Sequence, residues 1–210
     1  MSNSPATPSQ STVHNVPNYV TAARLVLSVV VFALISWAQS RTAAATDDSW
    51  ARTIYGAALL VFVVAAATDW VDGYWARKYG QVTQVGRIFD PFVDKVIVCG
   101  TFIFLVGSKG SEVTATMTTI IVARELLVTA LRSQVEGKGM DFSAQWAGKI
   151  KMVVQCAAAG TSLGILWLFP AEAAPASLRT TLIVLLWASV AITVYSGAGY
   201  VVAAARMLRR

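Results

Sequence analysis

The sequence predicts an all-α, polytopic membrane protein with six transmembrane helices and a short interfacial segment before the first. Three observations predict it. Only 13% of the 210 residues are charged, against roughly 25% in a soluble globular domain. Hydrophobic residues make up 56% of the chain, and the mean hydropathy is +0.59. The apolar residues fall in long continuous segments, not in the short alternating runs of a membrane β-barrel. These features exclude a soluble enzyme, a disordered chain and a nucleic-acid binder, despite a formal net charge of +6.

A helical span needs about 20 apolar residues. The six segments run from Val20 to Ala38, Ile54 to Ala76, Phe89 to Val106, Val113 to Leu131, Trp146 to Phe169 and Leu178 to Met207. The connections are short, so neighbouring helices are expected to be antiparallel, with no separate soluble domain. Residues 1–15 read as a disordered polar tail, rich in Ser, Thr and Pro. The tail lacks a basic region followed by an apolar core, so it does not read as a signal peptide. His14, at its end, is given no role. Residues 16–210 form one six-helix membrane domain. Val16-Pro17-Asn18-Tyr19 reads either as the start of the first helix, with Pro17 in its first turn, or as a short interfacial helix.

Six spans put both termini on one side. With that side cytoplasmic, the outer loops hold Arg41, Arg52, Lys109 and Arg179, and the other 13 of the 17 basic residues lie inside. That asymmetry sets the orientation. Trp37, Trp50 and Trp167 then mark the outer boundary. Cys99 and Cys156 sit in apolar stretches and read as packing residues, without the partners of a metal site.

An acidic residue inside a span is expensive and points to function. Asp69 and Asp72 are spaced i, i+3 near the cytoplasmic end of the second span, and Asp90 and Asp94 are spaced i, i+4 near the start of the third. Each pair shares one helix face. The short link between the spans makes a hairpin able to point four carboxylates into one site. Four close carboxylates repel and need protons, cations or metal. Oxygen donors without His or Cys select Mg²⁺, Mn²⁺ or Ca²⁺ over zinc. Two divalent ions in such a cluster suit phosphoryl transfer. Gly73 and Gly86 allow a bulky group to approach the backbone, or equally allow helices to pack closely. Arg77 is placed to bind a phosphate. Taken alone, the four aspartates also fit a cation or proton path in a transporter.

The full pattern is Asp69-x-x-Asp72-Gly73-x-x-Ala76-Arg77, eight residues, then Gly86-x-x-x-Asp90-x-x-x-Asp94. It resembles the signature of the CDP-alcohol phosphotransferases at all eight fixed positions, and the six-span layout resembles that family over nearly the whole chain. The resemblance implies an enzyme in which an alcohol attacks the phosphorus distal to cytidine and displaces CMP. It implies two Mg²⁺ or Mn²⁺ ions, with Asp69, Asp72, Asp90 and Asp94 as ligands and Asp94 also as general base. Asp72, Gly73, Ala76, Arg77, Thr83 and Gly86 would contact the CDP-linked donor. It also implies a homodimer. A base that touches a metal loses basicity, so the two roles of Asp94 are in tension.

The acceptor is addressed by basic residues further on. Arg124, Arg132, Lys149 and Lys151 fall at or near the inner side, where they outnumber Glu125, Glu136 and Asp141. An anionic, phosphorylated acceptor would explain the excess. So would positive-inside topology with attraction to anionic lipid heads. Glu125 reads as one half of a structural ion pair, with Arg124, Arg132 or a neighbouring helix. Arg124-Glu125-Leu126-Leu127-Val128-Thr129-x-Leu131-Arg132, Gly148-Lys149-x-Lys151 with Gln155, and Pro17-Asn18-x-x-Thr21-x-x-Arg24 together resemble the phosphatidylglycerophosphate synthase branch of the family. That resemblance implies CDP-diacylglycerol as donor and sn-glycerol 3-phosphate as acceptor, at the membrane of a bacterial cell. Sibling enzymes using inositol phosphate or phosphatidylglycerol remain the alternatives within the family, and a cation transporter the alternative outside it. Gly197 and Gly199 in the last span read as close packing.

Overall fold

A computed structural model describes residues 16–44, 49–79, 84–137, 146–170 and 173–208. The side chains of residues 69–91, of Asp94 and of Lys149 lie outside this description, as do residues 1–15. The described chain forms six helices: α1 (Val16–Ala44), α2 (Ser49–Tyr79), α3 (Gln84–Leu105), α4 (Ala115–Gly137), α5 (Trp146–Leu168) and α6 (Ala176–Leu208). α1 packs against both α2 and α3. α2 packs on α5, α5 on α6, and α6 on α4, while α3 also touches α4 and α5.

Each helix outlasts or nearly matches its apolar segment. α1 has 29 residues, about 44 Å at 1.5 Å per residue, against a hydrocarbon core of about 30 Å. Its first turn, Val16–Tyr19, is continuous with the rest of the helix, as the helix-start reading of that segment requires. Pro17 fits there because the first turn leaves its N–H groups unpaired. Among the described residues, four helices contain stretches long and apolar enough to cross a membrane: Thr21–Thr42, Ser49–Thr68, Ile150–Leu168 and Ala176–Arg206. Among the described residues, α3 offers a shorter apolar stretch, Lys95–Leu105. α4 is diluted by Arg124 and Glu125.

All six helices nonetheless turn large apolar side chains outward. Leu60 on α2 is 68% exposed, Leu126 on α4 67% and Val153 on α5 68%. Val26, Phe92, Ile103, Leu127 and Val184 are exposed as well. In water such a surface would be an aggregation liability, whereas in lipid it is solvated. The chain is a polytopic helical membrane protein.

The interior mixes apolar and small polar groups. Val31, Ile35, Phe62, Phe102, Ile121, Leu163, Leu182 and Leu186 form its buried centre. Ser28, Thr101, Ser162, Ser189 and Thr193 are buried among them. Ser28 and Thr101 donate to the carbonyls of Arg24 and Ile97, 2.8 and 2.7 Å away. A hydroxyl that bonds its own helix carries no unsatisfied group into lipid. Neither cysteine forms a disulfide, and both pack against the apolar core.

The end that holds the α3–α4 connection is closed by polar side chains. Gln39 Nε2 donates to the Phe104 carbonyl (2.5 Å) and to Ser108 Oγ (2.9 Å), and the Tyr55 hydroxyl lies 3.1 Å from Ser108 Oγ. Ser162 Oγ donates to the Ser111 carbonyl at 2.9 Å, and Arg179 donates twice to Glu112 Oε1. Arg52 caps the end of α5 by donating to the carbonyls of Trp167 and Leu168. Trp37, Trp50 and Trp167 are exposed at this end, where an interfacial aromatic belt belongs. The acid-bearing turns of α2 and α3 are at the opposite end.

Close packing between α1 and α3 depends on Gly100. A Cβ there would stand 2.1 Å from Phe32 Cζ, and the Phe32 ring is itself stacked on Phe104 with centroids 5.1 Å apart. Gly100→Ala should therefore lower stability by about 1–3 kcal/mol, the usual range for overpacking. Thermal unfolding in detergent would measure it, and an unchanged midpoint would show that Phe32 has room to move.

Candidate active site

The acidic motif lies on two helix ends joined by residues 80–83. Asp69, Asp72, Gly73, Ala76 and Arg77 occupy the last three turns of α2, and Gly86, Asp90 and Asp94 the first three turns of α3. Helical periodicity gives Asp69, Asp72 and Ala76 one face of α2, and Gly86, Asp90 and Asp94 one face of α3. Thr83 lies outside the described residues, as do the side chains of the eight motif positions. Among the described residues, no group of three or more His, Cys, Asp or Glu is placed to hold a metal ion. The donor set of the motif is carboxylate alone. That chemistry fits a hard divalent cation and not a soft one.

Two of the four basic residues singled out above come together inside the bundle. Arg124 on α4 is 9% exposed, Lys151 on α5 is 8% exposed, and Glu125 between them is 5% exposed. They are buried between helices. Glu125 Oε1 accepts from Arg124 Nη1 at 2.9 Å and also from Lys151 Nζ. Adjacent helical residues do not face one another, so the Arg124–Glu125 bond depends on the length of the arginine stem. Arg132 is half-buried further along α4. The side chain of Lys149 lies outside the described residues.

Burial of these charges is costly unless they are paired and hydrogen-bonded. The trio satisfies that condition in part. Among the described residues, two cations share this one carboxylate. Nε of Arg124 has no hydrogen-bond partner among the described residues. Such a group calls for a ligand or another polar partner. α6 supplies further support that sequence reading missed: Ser196 Oγ receives Arg124 Nη2 at 2.7 Å, and the Arg124 guanidinium lies 5.6 Å from the centroid of the Tyr200 ring. Gln155 on α5 donates to Thr193 Oγ1 on α6 at 3.0 Å.

This cluster occupies the same half of the bundle as the acidic turns. Lys151 is the sixth residue of α5, about 8 Å from its start at 1.5 Å per residue. Cys99, five residues beyond Asp94 on α3, lies within electrostatic range of Glu125, Lys151 and Lys95. The helix turns that carry the acidic motif and the Arg124–Lys151 cluster thus lie in the same half of the bundle. That arrangement suits chemistry on phosphates.

A family model for CDP-alcohol phosphatidyltransferases matches residues 14–204, and the chain belongs to that family. It is a membrane-embedded transferase. Among curated proteins, it is 35% identical over 153 residues to the CDP-diacylglycerol–glycerol-3-phosphate 3-phosphatidyltransferase of Bacillus subtilis (strain 168), covering 71% of this chain and 76% of that one. It is 31% identical over 155 residues to the protein of the same name from Yersinia pestis (strain Pestoides F), covering 73% and 77%. A Mycobacterium tuberculosis protein (strain CDC 1551 / Oshkosh) named "Probable phosphatidylglycerophosphate synthase" is 32% identical over 192 residues, covering 91% and 82%.

Removing Glu125 would leave Arg124 and Lys151 close together without the carboxylate that pairs them among the described residues. Glu125→Ala should lower stability by about 3–5 kcal/mol, the range for breaking a buried ion pair from one side. Glu125→Gln, which keeps an acceptor oxygen, should lose less. Denaturant or thermal unfolding in detergent would rank them, and equal stability of Glu125→Ala and the parent would show that the pair is not needed for folding.

Proposed function

We propose that the chain is a phosphatidylglycerophosphate synthase of phospholipid biosynthesis. It transfers a phosphatidyl group from CDP-diacylglycerol to sn-glycerol 3-phosphate and releases CMP. The observation that carries the acceptor is the buried Arg124–Glu125–Lys151 cluster, whose net positive charge suits a phosphorylated alcohol. The names of the bacterial relatives support the same donor and acceptor.

The reaction assigns a task to each part. An alcohol oxygen of the acceptor bonds to the phosphorus distal to cytidine. The bond from that phosphorus to the bridging oxygen breaks, and CMP leaves with the electron pair. Asp94 takes the proton of the attacking hydroxyl, a step that contributes typically about 10²–10⁴-fold in rate. Asp69, Asp72, Asp90 and Asp94 would hold two Mg²⁺ or Mn²⁺ ions, whose charge would offset that of the diphosphate. Asp72, Gly73, Ala76, Arg77, Thr83 and Gly86 hold the CDP portion of the donor, whose acyl chains stay in lipid. Arg124, Arg132, Lys149 and Lys151 bind the acceptor phosphate.

The proposed setting is a bacterial plasma membrane, with both termini and the motif-bearing helix ends in the cytoplasm. The excess of basic residues on that side supports it. Residues 16–210 make up the catalytic domain, residues 1–15 are a polar tail, and the working form is a homodimer.

CMP release from CDP-diacylglycerol by the purified protein in detergent tests the reading. Release should require Mg²⁺ or Mn²⁺, stop with EDTA, and depend on glycerol 3-phosphate among acceptors that include inositol phosphate, inositol, serine and phosphatidylglycerol. A different obligatory acceptor would keep the mechanism and overturn the acceptor. Asp94→Asn should lower kcat by about 10²-fold or more while the protein stays folded; near-normal turnover would remove Asp94 as the base. Arg132→Ala should raise the acceptor KM more than the donor KM, and equal effects on both would count against a phosphate-binding role.

A further inference from the structure

Arg124 carries a long, flexible stem, and a flexible cation makes a poor template for a small phosphorylated alcohol. In this chain it is fixed at four points. Nη1 meets Glu125 Oε1 at 2.9 Å, and Nη2 meets Ser196 Oγ at 2.7 Å. The guanidinium lies 5.6 Å from the Tyr200 ring centroid. The stem rests on Gly197, where a Cβ would stand 2.9 Å from Arg124 Cγ. Three of the four points come from α6.

Those residues form a stripe. Thr193, Ser196, Gly197 and Tyr200 are spaced i, i+3, i+4 and i+7, which is one face of a helix. Every member has a use there. The Ser196 hydroxyl donates to the Thr193 carbonyl at 3.2 Å, which leaves its oxygen lone pairs to accept from Arg124. Thr193 Oγ1 in turn receives Gln155 Nε2 and ties the stripe to α5. All of these side chains are buried. A buried charge-assisted network of this kind holds its donors in one geometry. The general rule is that a site residue needs neighbours that lock its rotamer.

We propose that the α6 stripe of Ser196, Gly197 and Tyr200 positions Arg124 for the acceptor phosphate, so that α6 sets acceptor recognition although it carries no residue of the Asp69–Asp94 motif. This rests on the acceptor reading given above. The three are positioning residues acting through Arg124, and Gly197 serves a side chain, not a helix backbone.

The test is steady-state kinetics of the full-length protein in detergent, with CDP-diacylglycerol and glycerol 3-phosphate varied separately. Ser196→Ala, Gly197→Ala and Tyr200→Leu are each made alone and combined with Arg124→Ala. Each single variant should raise the acceptor KM about tenfold, the size of one lost hydrogen bond to a charged group, and change the donor KM by less than about twofold. In the Arg124→Ala background none should raise it further, because the residue they act through is gone. Where turnover is lost, titration calorimetry with glycerol 3-phosphate reads the same affinities. If Gly197→Ala or Tyr200→Leu fails to fold, Ser196→Ala decides, since it removes one oxygen and adds no volume. Equal rises in donor and acceptor KM, or the same rise with and without Arg124, overturn the α6 role alone. Arg124→Ala with an unchanged acceptor KM overturns the acceptor reading itself.

Discussion

Hydrocarbon offers no hydrogen bond to any group it touches. Each polar atom inside this bundle must therefore find its partner within the protein, and the rest of the structure follows from where those partners are. The outward faces of all six helices are given over to Leu, Val, Ile and Phe. Lone hydroxyls such as Ser28 and Thr101 turn back onto their own helix. Groups that need more than a hydroxyl can offer are gathered at the two ends or in the Arg124 cluster.

The two ends handle polarity differently. At one end, Gln39, Tyr55, Ser108 and Ser111 bond with each other and with backbone carbonyls. Glu112 and Arg179 pair at the rim. The positive φ of Gly110 and of Glu112 lets the connection turn tightly there. This is structural closure, with one acid–base pair at the rim. Towards the other end charges of like sign are grouped. The motif gathers four carboxylates on two helix ends, and the buried cluster holds two cations to one carboxylate. Grouped charges of both signs suit a reaction that moves phosphates.

Much of this was legible in the sequence. The six apolar segments correspond to the six helices, because lipid-facing and core-facing residues are both apolar and leave a continuous signal. The helix ends were less legible. The third segment reads as starting at Phe89, whereas α3 begins at Gln84; the turns that carry Gly86 are too polar to register as apolar. Likewise α1 runs to Ala44, six residues past the apolar limit, since a helix continues into the interface where hydropathy falls. The acidic motif was legible because its spacing lies within 26 residues. The partner of Glu125 was only half legible: Arg124 is adjacent, but Lys151 lies on another helix. The α6 stripe gave no such signal. Ser196 and Gly197 are small residues in a span, and small residues ordinarily mean packing. Only the placement of Arg124 against them gives them another use.

The buried pairing of Arg124, Glu125 and Lys151 also bears on how the chain is made. A ribosome delivers α4 before α5 and α6. Glu125 has Arg124 beside it at once, but Lys151 follows 26 residues later, and Ser196 follows Arg124 by 72. During that interval α4 carries charges that lipid alone does not accommodate. The charges of the fourth helix gain their full set of partners only when the fifth and sixth have arrived, so a segment made early waits for residues made well after it.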